Sequence, residues 1–171
     1  MKDTPRQVPT VVRWQPPKSG RWKLNVDGSY YSHTELAAIG GVVRDSQATW
    51  VYGFAHNIGR CSILSAELRA IRDGLSLVWR LGIRRIEVET DSQAAILLIR
   101  GNAPSTHPDW VLIDDCRSLL TNNWEATISF VPRGANSVAD CLAKLGHQLG
   151  HSEECWDTAP PPECGVIFAP R

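Results

Sequence analysis

Asp27, Glu67, Asp91 and Asp140 are four carboxylates set in short contexts that suit metal-assisted chemistry. Asp27 sits in Asn25-Val26-Asp27-Gly28-Ser29, and Glu67 in Ser65-Ala66-Glu67-Leu68. Asp91 sits in Glu89-Thr90-Asp91-Ser92, and Asp140 in Asn136-Ser137-Val138-Ala139-Asp140. Carboxylate oxygens are hard ligands of the kind magnesium prefers, and that ion keeps several of its waters. Two such ions, ~3.5–4 Å apart, stabilise both the attacking and the leaving oxygen of an in-line displacement. Without cations clustered carboxylates repel one another, so a site built from these four would depend on metal.

Each acid also has a plainer reading. Asp27-Gly28 has the composition of a two-residue hairpin turn. Glu67 could complement the dipole of a helix in its first turn. Asp91 could cap the helix that follows it. Asp140 could be a solvated acid on a helix surface. What separates the readings is whether the intervening chain brings all four together.

The hydrophobic pattern supplies the elements. Trp22, Leu24 and Val26 alternate with Lys23, Asn25 and Asp27, the period of two that marks a strand. Ile39 to Arg44 and Thr49 to His56 are two more apolar runs across the turn-like Asp45-Ser46-Gln47-Ala48, giving three antiparallel strands. Leu64, Leu68, Ile71, Leu75 and Val78 then recur at helical spacing, and Gly82 ends that helix. Arg85 to Thr90 alternates again. Ser92 to Arg100 and Trp110 to Leu120 suggest helices, Ala126 to Val131 a fifth strand, and Ser137 to Gln148 a last helix. Helices between strands imply right-handed crossovers, so the sheet is antiparallel at its start and parallel at its end. Ligands gather outside the carboxyl ends of strands in such sheets, which is where this pattern places Asp91.

Composition sets the outer bounds. A chain of 171 residues with 43% hydrophobic and 21% charged residues is expected to be globular and to hold one domain. Residues 1–20 and 150–171 are proline-rich, without a helical or strand period, and are expected to be poorly ordered tails around a domain at 21–149. No apolar run reaches the ~20 residues of a membrane span, and the polar start has no secretory-signal core. Five cysteines (Cys61, Cys116, Cys141, Cys155, Cys164) form no CxxC pair, which predicts a reduced intracellular protein rather than a disulfide framework. A formal net charge of zero argues against a long-range electrostatic grip on a polyanion, so any basic strip must be local. Arg80, Arg84 and Arg85 form one such cluster, which reads more simply as a solvated end. His147-x-x-x-His151 has helical ligand spacing but lacks the glutamate of a zinc hydrolase. Trp22 and Trp79 fit core positions, whereas Trp50, Trp110 and Trp124 fit either a core or a base-stacking role.

The four acid motifs, together with Ala66-Glu67-Leu68-Arg69-Ala70, Thr90-Asp91-Ser92-Gln93 and Asn136-x-x-Ala139-Asp140-x-Leu142-Ala143, resemble type 1 ribonuclease H. The resemblance is nearest to the plant ribonuclease H-like domain of non-LTR retroelement reverse transcriptases, and it covers Lys23 to Gln148. Even the lead-in Trp14-x-x-Pro17 is similar. It implies an α/β ribonuclease H-like fold, a five-stranded mixed sheet in the order 3-2-1-4-5 flanked by helices. It further implies a monomeric nuclear or cytoplasmic endoribonuclease that hydrolyses the RNA strand of RNA–DNA hybrids by a two-metal-ion mechanism. The cofactor implied is magnesium, two ions, with manganese able to substitute. Asp27 would bridge both ions, Asp140 would complete the ion that activates water, and Glu67 and Asp91 would hold the ion near the leaving group. Arg60 and Ser62 match residues that hold a DNA phosphate in the family, and Asn136 joins Arg133 as a substrate contact.

The chain departs from the pattern in three places. Arg133 stands where many members carry a mobile histidine, and an arginine cannot act as a base near neutral pH, though it can hold a phosphate in a fork. Ile63-Leu64 replaces the Asn-Gln pair that reads the RNA 2′-hydroxyl, the group on which RNA-over-DNA discrimination rests. No basic insertion lies between Asp91 and Ala126, which predicts weak, salt-sensitive substrate affinity. The alternative is therefore a domesticated nucleic-acid-binding module with weak or no cleavage. An integrase on the same fold fits less well, because integrases usually place a glutamate last among three acids.

Overall fold

A computed structural model describes residues 12–168. The chain runs as β1 (Trp22–Tyr31), β2 (Leu36–Arg44), β3 (Trp50–Arg60), α1 (Ile63–Arg80), β4 (Arg85–Thr90), α2 (Gln93–Arg100), α3 (Trp110–Leu120), β5 (Glu125–Phe130), α4 (Ser137–Gly146), β6 (Glu153–Trp156) and α5 (Pro162–Phe168). Among the described residues one mixed sheet contains all the strands, in the order β5-β4-β1-β2-β3-β6. The hairpins β1–β2 and β2–β3 are antiparallel, and β4 and β5 run parallel to β1 after helical crossovers.

The sheet has six strands rather than the expected five. β6 is added outside β3, pairing Gly53 to His56 against Trp156 to Glu153. It comes from the segment 150–171, whose prolines pointed to a poorly ordered tail. Pro160 and Pro161 instead lead into α5, and Pro162 occupies its first position, where a missing N–H costs nothing. The lead-in departs from expectation too. Residues 1–11 of the expected N-terminal tail lie outside the described residues, but Pro17 is buried and Trp14 is half-buried against the sheet.

Two cores flank the sheet. The larger packs α1, α2 and α3 through Leu68, Ile71, Leu75, Ala95, Ile99, Ile113 and Cys116 onto Leu24, Val26, Ile86 and Val88. The stripe read from the sequence is the buried face of α1, and Gly82 ends that helix in the left-handed region (φ 78°), as Gly permits. The smaller core lies on the opposite face, where Val138 and Leu142 of α4 meet Val42, Trp50 and Cys164. Trp50 belongs to this core, its Nε1 donating to the Trp156 carbonyl at 2.9 Å. Because α1 covers one face and α4 the other, β1 is buried from Lys23 to Asp27 on both sides.

Cys141 on α4 and Cys164 on α5 are joined by a disulfide, with Cα atoms 5.9 Å apart. This corrects the expectation of unpaired cysteines, which rested on an odd count and on spacing alone. Cys61, Cys116 and Cys155 are free. Closing a loop across a sequence separation of 23 is expected to contribute about 3 kcal/mol through the unfolded chain. Urea unfolding with and without dithiothreitol measures it. A midpoint indifferent to the reductant, with five thiols titratable in the unreduced protein, would count against the bond.

Among the described residues no helix is long and apolar enough to cross a membrane.

Candidate active site

Asp27 and Gly28 are not a turn. They lie inside β1, paired with Gly40 and Ile39 of β2, so the hairpin reading fails on register. Asp27 is 4% exposed and points to the α4 face. Gly28 points to the α1 face, where a Cβ would meet the Glu67 nitrogen at 2.9 Å and the Ala66 carbonyl carbon at 3.0 Å. Only a bare backbone lets α1 come this near. The approach carries Glu67 to β1, and its Oε2 accepts the Gly28 N–H at 3.1 Å. Glu67 lies beyond the first turn of α1, so a dipole role does not account for it. The first-turn hydrogen bond comes from Ser62, whose side chain accepts the Ser65 N–H at 3.0 Å.

Asp91 follows the last residue of β4, at the carboxyl end of a parallel strand. It does not cap α2; Ser92 does, accepting from the Ala95 N–H at 3.2 Å. Three elements thus deliver Asp27, Glu67 and Asp91, one carboxylate oxygen of each lying within 4.8 Å of the others. Asp140 projects from the first turn of α4 and is not part of this tight trio. Its Oδ2 accepts from Lys144 Nζ at 2.9 Å, an exposed i,i+4 pair of small energetic weight.

The electrostatics are those of crowded, largely buried carboxyl groups. Burial, with the negative charges of Glu67, Asp91 and Asp140, raises the Asp27 carboxyl far above the ordinary carboxylate range. Burial and then Asp91 raise Glu67, against which the Gly28 N–H favours its charged form. The guanidinium of Arg133, 91% exposed, reaches only to 3.9 Å from Asp91 Oδ2. An open cleft of about 320 Å³ runs beside Glu67 and Asp91 and is lined further by Ile63, Leu64, Phe130 and Arg133. Hard oxygen donors at close spacing, whose charged forms burial and mutual repulsion disfavour, together fit divalent cations.

The remaining sequence candidates are placed differently. Arg60 lies at the end of β3, 76% exposed and 3.9 Å from Glu35. Ser62 is exposed beside it at the start of α1. Asn136 is 1% exposed, and its amide is engaged inside the protein, so burial removes it from the set of direct substrate contacts. In the basic cluster Arg84 stacks on Trp79 at 3.7 Å and Arg85 pairs with Glu125 at 3.4 Å. His147 stacks on Tyr31 with ring centroids 3.7 Å apart, and it forms no acidic or histidine cluster with His151 among the described residues.

One feature escaped the sequence reading, a buried polar network beneath the acids. Asn25 Oδ1 accepts from Trp14 Nε1 at 2.8 Å and from Arg44 Nη2 at 2.9 Å. Lys23 Nζ lies 3.1 Å from Glu89 Oε2 and donates to the Gln15 carbonyl at 2.7 Å. Burial lowers the Arg44 guanidinium to about 10, against which Glu89 supports its charge. The available signal was the run of polar residues Lys23, Asn25 and Asp27 on one face of a strand whose other face is wholly apolar.

Known proteins resemble the chain in both sequence and structure. The family model described as reverse transcriptase-like matches residues 25–146. A protein of Arabidopsis thaliana, whose name as a ribonuclease H protein is itself an inference, is 34% identical over 157 residues. That match takes in 92% of this chain but 25% of the relative, so the chain spans about a quarter of that protein's length. Ribonuclease HI of Halobacterium salinarum is 30% identical over 141 residues, 82% of this chain and 70% of the relative. The crystal structure of ribonuclease H1 from that archaeon superposes with a TM-score of 0.69 at 29% identity, covering 75% of this chain and 98% of the other. Since that family model spans residues 25–146, well over half of the sequence, the chain belongs to the reverse transcriptase-like family of ribonuclease H-like domains.

Proposed function

We propose that the protein is an endoribonuclease that hydrolyses the RNA strand of RNA–DNA hybrids. The observation that carries this reading is the meeting of Asp27, Glu67 and Asp91 oxygens within 4.8 Å, beside an open cleft that Glu67 and Asp91 line. Asp27, Glu67, Asp91 and Asp140 are the residues that would hold two magnesium ions, with manganese as a substitute. Bound there, the ions would neutralise the cluster and stabilise charge on the attacking and leaving oxygens of the phosphodiester.

The chain's own groups have separate tasks. Asp27 and Glu67 are fixed by the sheet and by α1, so the carboxyl oxygens are in place before substrate arrives, which spares reorganisation during reaction. Arg133, exposed at the cleft wall beside Asp91, is free to take a phosphate oxygen of the scissile strand. Arg60 and Ser62 lie at the junction of β3 and α1, suited to a phosphate of the complementary DNA strand. A weak surface grip agrees with the zero net charge.

Arg133→Ala is expected to lower kcat/KM by about tenfold, the loss of a charged hydrogen bond to phosphate of ~1.5–3 kcal/mol moderated by exposure. The salt dependence of hybrid binding should flatten with it. Unchanged cleavage and affinity would remove Arg133 from the substrate path.

One observation favours a second reading, a nucleic-acid-binding module that cleaves poorly. Ile63 and Leu64 line the cleft and offer no side-chain hydrogen bond to a 2′-hydroxyl. Cleavage assays on a labelled RNA–DNA hybrid, an RNA duplex and a DNA duplex, in magnesium and in manganese, separate the two. Cutting confined to the RNA strand of the hybrid supports the enzyme. Binding of hybrid by folded protein without cutting in either metal supports the module.

A further inference from the structure

Asp140 comes from α4, on the opposite side of the sheet from the helix that carries Glu67. Its distance from Asp27 is therefore not set by strand pairing. The polar network beneath the acids supplies the missing constraint.

Asn136, the residue before α4, accepts the Asp140 N–H on its carbonyl at 3.1 Å. Its side-chain Nδ2 donates to the carbonyl of Val26, the residue before Asp27, at 2.9 Å. One residue thus ties the backbone of Asp140 to the backbone beside Asp27. Asn136 is in turn oriented by Asn25, whose Nδ2 donates to Asn136 Oδ1 at 3.1 Å and to Glu89 Oε1 at 3.1 Å. The other end of the Asn25 amide accepts from Trp14 Nε1 at 2.8 Å and Arg44 Nη2 at 2.9 Å. Both Asn25 amide protons and its oxygen are satisfied, so only one orientation of the group fits. Arg44 is itself fixed by lying 3.8 Å over the Trp14 ring. Trp14 belongs to the lead-in before the sheet, outside any strand.

We propose that Trp14 and Arg44 are positioning residues which, through Asn25 and Asn136, set Asp140 against Asp27 and so complete the cation site. This rests on the metal-dependent reading of the four acids. A buried cluster serving stability alone could be replaced by apolar groups at little cost, whereas this one joins the lead-in, β1, β2, β4 and the start of α4 at one amide. The lead-in therefore works as a strap across the sheet, and the site is incomplete without it.

The test compares Asn136→Ala and Trp14→Phe with the wild type in the full chain. Manganese affinity is measured by electron paramagnetic resonance, and kcat and KM on a hybrid are measured separately. Folding is checked by thermal melting. Asn136→Ala is expected to weaken manganese binding and lower kcat by about 10–100-fold, leaving hybrid KM within about twofold. Trp14→Phe keeps the ring over Arg44 and removes one N–H, so it should move both readouts the same way by about threefold. If Asn136→Ala does not fold, Trp14→Phe decides alone. Manganese affinity unchanged in a folded variant, or a rise in KM in its place, overturns the proposal. A wild type that binds manganese but cuts nothing defeats the nuclease reading, and the strap is then judged on manganese affinity. A wild type that binds no manganese overturns both.

Discussion

Asp27→Asn is expected to abolish hybrid cleavage and, in the metal-free protein, to raise thermal stability near neutral pH. The catalytic loss should reach about a thousandfold or more, since several kcal/mol of charge stabilisation depend on a filled cation site. The stability gain follows from burial. Asp27 is 4% exposed and faces Glu67, Asp91 and Asp140, which together hold its folded-state pKa far above that of an unfolded aspartate, about 3.9. A carboxyl raised on folding contributes stability that is complete below its unfolded pKa and is lost as pH rises through its folded value. Glu67 shifts in the same direction, so the metal-free wild type should melt higher at pH 5 than at pH 8. Asparagine fills the same space without charge, and it removes the Asp27 share of this slope. Magnesium should act in the opposite sense, stabilising the wild type by about 2.7 kcal/mol at a hundredfold excess over its dissociation constant and the variant by much less. Melting curves in chelator and in magnesium, at both pH values, contain every comparison. An asparagine variant less stable than wild type in chelator at pH 8 would sink the electrostatic account, and one that still cuts would sink the ligand assignment.

How far the sequence foretold this site depends on which contacts were local. Asp91 was legible because a strand's carboxyl end is read from alternation alone. The α1 stripe and the Gly82 stop were legible for the same reason, each being a signal within one element. Asp27 was ambiguous, because Asp-Gly favours a turn, and what decides against one is the pairing of both residues with Gly40 and Ile39 of β2. The sixth strand was missed because its partner is β3, nearly a hundred residues earlier, and its flanking prolines resemble those of a linker. The Cys141–Cys164 bond was missed for the same reason, since cysteine spacing says nothing of where two helices meet. Asn136 was assigned outward from its motif, yet its amide turns inward to Asn25 and Val26. Short motifs name residue types well. They do not tell which side of the chain a polar group faces when both sides are buried.

Gly40→Ala carries the second large expectation, a loss of both stability and activity from one methyl group. Gly40 lies in β2 directly opposite Asp27 and on the same face, beneath α4. A Cβ there would stand 2.3 Å from the Ala143 nitrogen, 2.6 Å from the Leu142 carbonyl carbon and 2.7 Å from Leu142 Cβ. Two of these atoms are helix backbone, which cannot swing aside as a side chain would. To reach ordinary contact, 3.4 Å or more, α4 must retreat by about 1 Å. Overpacking of this kind costs about 1–3 kcal/mol, and contact with main chain puts it at the upper end. The same helix carries Asp140, so its retreat moves that carboxylate from Asp27, and a displacement near 1 Å can cost about a hundredfold in rate. Gly165→Ala is the matched control. Its site is open, with nothing within 4 Å of an added Cβ, and it lies in α5 where alanine favours the helix by about 0.5–1 kcal/mol. That variant should melt slightly higher and cut as well as wild type. If Gly40→Ala kept full cleavage at a temperature where it remains folded, α4 would have to tolerate the shift, and Asp140 would not need its present place against Asp27.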